Sequence, residues 1–182
     1  MASKWATAEV ATPAQEAPGL GALASPQPGS VPHADGLPVL APGPRQAWVV
    51  GAHGGAGETT LAILLGAQAA VHMWHPGQES LAPHAICFRT NAAGIEAARR
   101  ALTQWASGNV PGVRLVGLIA VADVPGRQPK WLRRELEKLA GASPAFWEVR
   151  FVRELREHPN DMEALASATH KMASSLAPEF ER

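Results

Sequence analysis

The residue types best able to do chemistry are gathered in one short run, Gly51-Ala52-His53-Gly54-Gly55-Ala56-Gly57-Glu58-Thr59-Thr60. Glycines let a backbone curl until successive N–H groups point into one concavity. An apolar stretch at 47–50 precedes the run and an Ala- and Leu-rich stretch follows it, so the run reads as a turn between a strand and a helix. A helix N-terminus adds partial positive charge at the same place. These features imply a phosphate-sized anion site made by the amides from Gly55 to Thr59, with Thr59 or Thr60 placed to reach a phosphate or its metal.

Other residues carry weaker signals. Asp123 follows the longest apolar run, and Arg89 and Thr90 end another. In open α/β sheets ligands sit beyond the carboxyl ends of the strands, which places all three near a ligand. His72, His75 and His84 share a short stretch, but no carboxylate lies in register with them to complete a metal set. Cys87 falls within an apolar run and is expected to be a buried, inert thiol. Arg127, Lys130, Arg133, Arg134 and Lys138 form a basic stretch over 127–138, diluted by Glu135 and Glu137. That stretch is either a solvated helix face or a surface for DNA or a protein partner. The Gly-x-Ser-x-Gly signature of a nucleophile elbow is absent, and no catalytic residue is assigned.

The elements that must position these groups follow from hydrophobic pattern. Strands are expected at 47–50, 85–88, 113–122 and 147–152. Helices are expected at 61–71, from Ile95 to a stop at Gly108, at 129–140 with Trp131 inward and a stop at Gly141, and after an N-cap at Asp161. Residues 72–83 read as a loop around Pro76-Gly77. Strands alternating with helices imply βαβ units. The expected fold is therefore α/β, a small parallel sheet with helices on both faces. It occupies 47–182. Residues 1–46 hold 8 of the 16 prolines and five charged residues without apolar period, so they are expected to be a disordered tail.

The run from His53 to Thr60 resembles the deviant P-loop of the ParA/MinD family, whose pattern is Lys-Gly-Gly-x-Gly-Lys-Thr-Thr. Six of the eight positions fit, counting the free one. The strand-then-helix unit at 86–100, the strand at 115–123 and the segment at 148–156 are also similar in layout to later parts of that family. The resemblance implies a P-loop NTPase-like fold, binding of ATP and Mg²⁺, and dimerisation across the loop. It also implies a part in plasmid or chromosome partitioning or in cargo positioning. Carried over position by position, His53, Gly54, Gly55, Ala56, Gly57, Glu58, Thr59 and Thr60 form the cofactor-binding loop. Thr59 then approaches the metal and Asp123 reads the base.

Two departures qualify that picture. The lysine that reaches the β- and γ-phosphates is Glu58 here, and the signature lysine is His53. At an effective dielectric of about 20, two unit charges 4 Å apart interact by roughly 4 kcal/mol, so this reversal weakens triphosphate binding. The strand ending Phe88-Arg89-Thr90 carries no carboxylate to hold Mg²⁺ through water, and the family's two intervening acidic strands are not found. A carboxylate in a first helical turn is favoured by the helix dipole, so Glu58 is expected to occupy part of the anion nest itself. Phosphorylated-ligand binding without secure hydrolysis is the leading expectation. A nucleotide-free scaffold or adaptor is the second.

Composition bounds these readings. The chain has 182 residues, with 16 basic and 16 acidic side chains, which argues against a whole-surface nucleic-acid binder. A single cysteine excludes an internal disulfide framework. No apolar run is long enough to span a bilayer, and no secretory leader is evident, so a cytoplasmic protein is expected.

Overall fold

The computed structural model describes residues 36–158 and 161–182. Its centre is a five-stranded, all-parallel sheet in the order β2-β1-β3-β4-β5. The strands are β1 (Trp48–Gly51), β2 (Gln68–Ala69), β3 (Ala82–Arg89), β4 (Val113–Val121) and β5 (Phe146–Val149). The helices are α1 (Glu58–Leu65), α2 (Ala92–Ala106), α3 (Lys130–Ala142), α4 (Glu154–Glu157) and α5 (Met162–Glu181). β3 and β4 are buried almost throughout, which is why both read as unbroken apolar runs rather than alternating ones.

Alternate strand residues feed two cores. Val50, Ile86, Phe88, Leu118 and Ala120 pack against α2 and α3. Val49, Cys87, Ile119, Val121 and Val149 pack against α1 and α5. Asn91 caps α2 by accepting from the Gly94 amide at 2.9 Å, and Asp161 caps α5 by accepting from Ala164 at 2.9 Å. Along α5, Leu165, Thr169, Met172, Leu176 and Phe180 form the buried stripe.

Several boundaries differ from the sequence expectation. The helix expected at 61–71 begins at Glu58 and ends at Leu65, because Gly66 takes a left-handed C-cap with φ 63°. The chain then forms β2, a fifth strand that two residues could not announce. Gly141 lies inside α3, whose end comes instead at Ser143, before Pro144. Trp131, expected inward, is 52% exposed, because Leu132, Leu136 and Leu139 already fill the apolar stripe.

The expected tail also needs its boundary moved. Residues 1–35 lie outside the described residues. Residues 36–46 run as a strap along the loop between β2 and β3. Trp74 donates its amide to the Pro38 carbonyl at 2.8 Å, and Leu40 donates back to Trp74 at 3.0 Å. Gly43 donates to Pro76 at 2.9 Å and accepts from Gln78 at 2.9 Å. Buried Gln104 of α2 fastens the start of the strap: its Oε1 accepts from the Leu37 amide and the Trp74 indole, both at 2.9 Å, and its Nε2 donates to the Leu37 carbonyl at 2.8 Å.

Candidate functional site at the sheet's carboxyl edge

Strand order reverses between β1 and β3. From β1 the chain steps outward to β2, then crosses back to β3 on the other side of β1. Such switch points open a crevice at the carboxyl ends of the two strands. The glycine-rich run fills this place, between β1 and α1.

Its backbone is set by two residues in the left-handed region, Gly55 at φ 75° and Gly57 at φ 94°. Gly57 is the residue immediately before α1, so the loop ends at a helix N-terminus. Ala56 is buried against the core below and anchors the loop, while Gly54 and Gly55 are exposed above it. Thr59 is exposed. Thr60 and Gly57 line a cavity of about 180 Å³ beside the loop.

His53 is held from two sides. Its Nε2 accepts the Arg89 amide at 3.1 Å, which leaves Nδ1 protonated to donate to the Gly54 carbonyl at 2.8 Å. Both ring nitrogens are thus used by the neutral form, and a protonated ring would lose the Arg89 contact. The imidazole is a staple between the loop and the end of β3 rather than a substitute lysine. A Cβ at Gly94 would strike both the Arg89 carbonyl and this ring, so the start of α2 can lie against the staple only as glycine.

Glu58 does not occupy the loop concavity. Its carboxylate turns to the segment after β2, where Oε1 accepts the His72 amide at 3.3 Å and Oε2 lies 3.2 Å from His72 Nδ1. The same Nδ1 is 2.9 Å from the Gly51 carbonyl. Val71 and His72 both have positive φ, 53° and 57°, an uncommon conformation for branched and aromatic side chains. The expected self-closing of the anion nest is corrected accordingly: Glu58, 7% exposed, is sequestered by His72.

Arg89 supplies the opposite wall. Its Nε donates to the Gly55 carbonyl at 3.1 Å and Nη1 to the Ala122 carbonyl at 3.3 Å. Among the described residues, the charged side chains lining the cavity are Arg89 and Arg150, and both are cations. Arg150, which follows β5, carried no local sequence signal. Only the sheet brings it to the loop.

Asp123 is placed elsewhere. Asn91 Nδ2 donates to its Oδ2 at 3.1 Å, and its amide donates to Thr90 Oγ1 at 3.2 Å. It ties the ends of β3 and β4 together and does not line the cavity. Among the described residues no group of three His, Cys, Asp or Glu side chains could hold a metal. His72, His75 and His84 are engaged in structural contacts. His75 stacks on Trp48 with ring centroids 3.8 Å apart and its Nε2 donates to Ala70 at 2.9 Å. His84 is fully buried, accepts the His75 amide at 3.2 Å and donates to Ala82 at 2.9 Å. Burial lowers its pKa to about 4. Burial, reinforced by the Glu58 charge, pushes the Cys87 thiol well above its ordinary range.

Fold and site together define a doubly wound, parallel α/β protein with a glycine-rich turn at its switch point and, beside it at the ends of β3, β4 and β5, a cavity whose charged lining is Arg89 and Arg150. The chain belongs to the family of unknown function DUF6668, whose model matches residues 45–158. No curated protein and no solved structure is matched by this chain. No helix among the described residues is long and apolar enough to cross a membrane.

Proposed function

We propose that this protein binds a phosphorylated ligand of the nucleotide class at the glycine-rich turn and acts by association rather than by turnover. The observation that carries this reading is the cavity beside Gly57 and Thr60, whose charged lining is Arg89 and Arg150. Loop amides and the α1 N-terminus favour an anion there, and guanidinium groups pair with phosphate in fixed, fork-like geometry. The arginines take over the charge that the resemblance to ParA/MinD proteins assigns to lysine.

Mg²⁺ does not fit the residues present. Thr59 is exposed, Glu58 is engaged by His72, Asp123 by Asn91, and β3 ends without a carboxylate. No step is therefore routed through a metal, and hydrolysis is not part of the proposal. Partner binding falls to the exposed face of α3, where Lys130, Trp131 and Arg134 face solvent, or to a second copy meeting across the loop.

Titration calorimetry with ATP, ADP and pyrophosphate tests the reading. Binding should persist in EDTA and weaken at least tenfold in Arg150→Gln. Absence of binding at millimolar ligand, or binding that requires Mg²⁺, overturns it. The scaffold reading is favoured by one feature, the double closure of the loop by His53 and Arg89, and it predicts no binding in any arm.

A further inference from the structure

The cavity at the loop does not end at Arg150. A second, larger hollow of about 540 Å³ opens between the β4–α3 connection and the segment after β5. The two share Ala122, Val149, Arg150 and Phe151 as walls, so they form one elongated trough. Its far end carries Arg127 and Arg133, and the shared middle is formed by Ala122, Val149 and Phe151 with the Arg150 side chain among them. Glu148 is the one acid among the described residues that line it. The guanidinium groups of Arg127, Arg133 and Arg150 have no hydrogen-bond or ion-pair partner among the described residues. Three arginines against one carboxylate leave the hollow with an excess of positive charge that favours an anion. Volumes of this size are typical of small-ligand sites.

Cations at both ends, with Val149, Phe151 and the Arg150 guanidinium between them, suit a ligand that is anionic at both ends and flat in the middle. The geometry points to a nucleotide carrying phosphate on both sides of its ribose, with one phosphate at the glycine turn and Arg89, the nucleoside against Phe151, and the second phosphate between Arg127 and Arg133. Bases and sugars pack on aromatic faces and guanidinium planes, which suits the middle of the trough. This chemistry comes from two sources: a free nucleoside bisphosphate, or the phosphorylated end of a single strand. The inference rests on the proposed phosphate site at the turn and adds the second anion site.

The test uses the full chain and calorimetry with adenosine 3′,5′-bisphosphate, 5′-AMP and the 5′-phosphorylated dinucleotide pApA. The bisphosphate should bind at least about tenfold more tightly than 5′-AMP, as expected for a second charge-assisted phosphate contact. The Arg127→Ala/Arg133→Ala variant should reduce it to the 5′-AMP level while leaving 5′-AMP unchanged. Tighter binding of pApA than of the bisphosphate assigns the strand end as source, and the reverse order assigns the free nucleotide. Equal affinity for bisphosphate and 5′-AMP, or a difference that survives the double substitution, overturns the inference. Thr60→Val separates this from failure at the turn. If bisphosphate binding depends on Arg127 and Arg133 but is indifferent to Thr60→Val, and 5′-AMP does not bind, the turn is not a phosphate site and the spanning ligand is overturned with it.

Discussion

Nδ1 of His72 lies 3.2 Å from Oε2 of Glu58, and the amide of the same histidine donates to Oε1 at 3.3 Å. A buried carboxylate at the start of α1 is thereby satisfied from the far side of the loop. Removing the ring in His72→Ala leaves a nearly buried carboxylate short of a partner and should cost about 1–3 kcal/mol. A urea midpoint that falls with unchanged slope is the expected signature.

Glu58→Gln keeps an acceptor for the His72 amide but removes the negative charge beside the turn. Phosphate-ester affinity should rise by about three- to tenfold, and the gain should shrink as salt increases. Calorimetric titration with ADP at low and physiological ionic strength checks both parts.

Stability should fall in mild acid because of His84. Its pKa drops from 6.5 in the unfolded chain to about 4 in the folded protein, where burial favours the neutral ring. The unfolded state therefore binds a proton that the folded state refuses. The contribution is intact above pH 6.5, is lost progressively as pH falls toward 4, and amounts to about 3 kcal/mol across that window. Urea midpoints at pH 7, 5.5 and 4.5 should show this slope, and His84→Gln should flatten it.

Cys87 is fully buried and its thiolate is disfavoured. The native protein should resist a thiol reagent at pH 8 for as long as it stays folded, and react fully in denaturant. Labelling followed by intact mass distinguishes the two states.

Gln104→Ala deletes three hydrogen bonds at one buried site, two accepted and one donated. A loss of about 2–4 kcal/mol is expected, because the Trp74 indole and the Leu37 backbone groups lose their partner. Limited proteolysis should then cut first within residues 36–46, the segment that Gln104 fastens.

The central pattern was open to reading because it is local. Buried β3 and β4 announce themselves as apolar runs, and Asp161 announces itself as a cap. What escaped depends on contacts distant in sequence or on very short elements. Glu58 meets His72 across 14 residues, and His53 meets Arg89 across 36, with no periodicity to signal either. Arg150 reaches the loop only because β5 closes the far side of the sheet. Gly66 stopped α1 early, and an Ala-rich continuation hid that stop. Trp131 sits beside Leu132, and a pattern of types alone does not say which of two adjacent apolar residues takes the inward place.

The matched family segment and the folded body do not share their limits. A chain trimmed to 45–158 would lack α5, whose Met172, Leu176 and Phe180 roof one side of the sheet, and most of the strap over Trp74. The side of β3, β4 and β5 that carries Cys87, Ile119 and Val149 would lose its α5 cover and keep only α1, leaving a greasy surface that invites self-association in any shortened recombinant version.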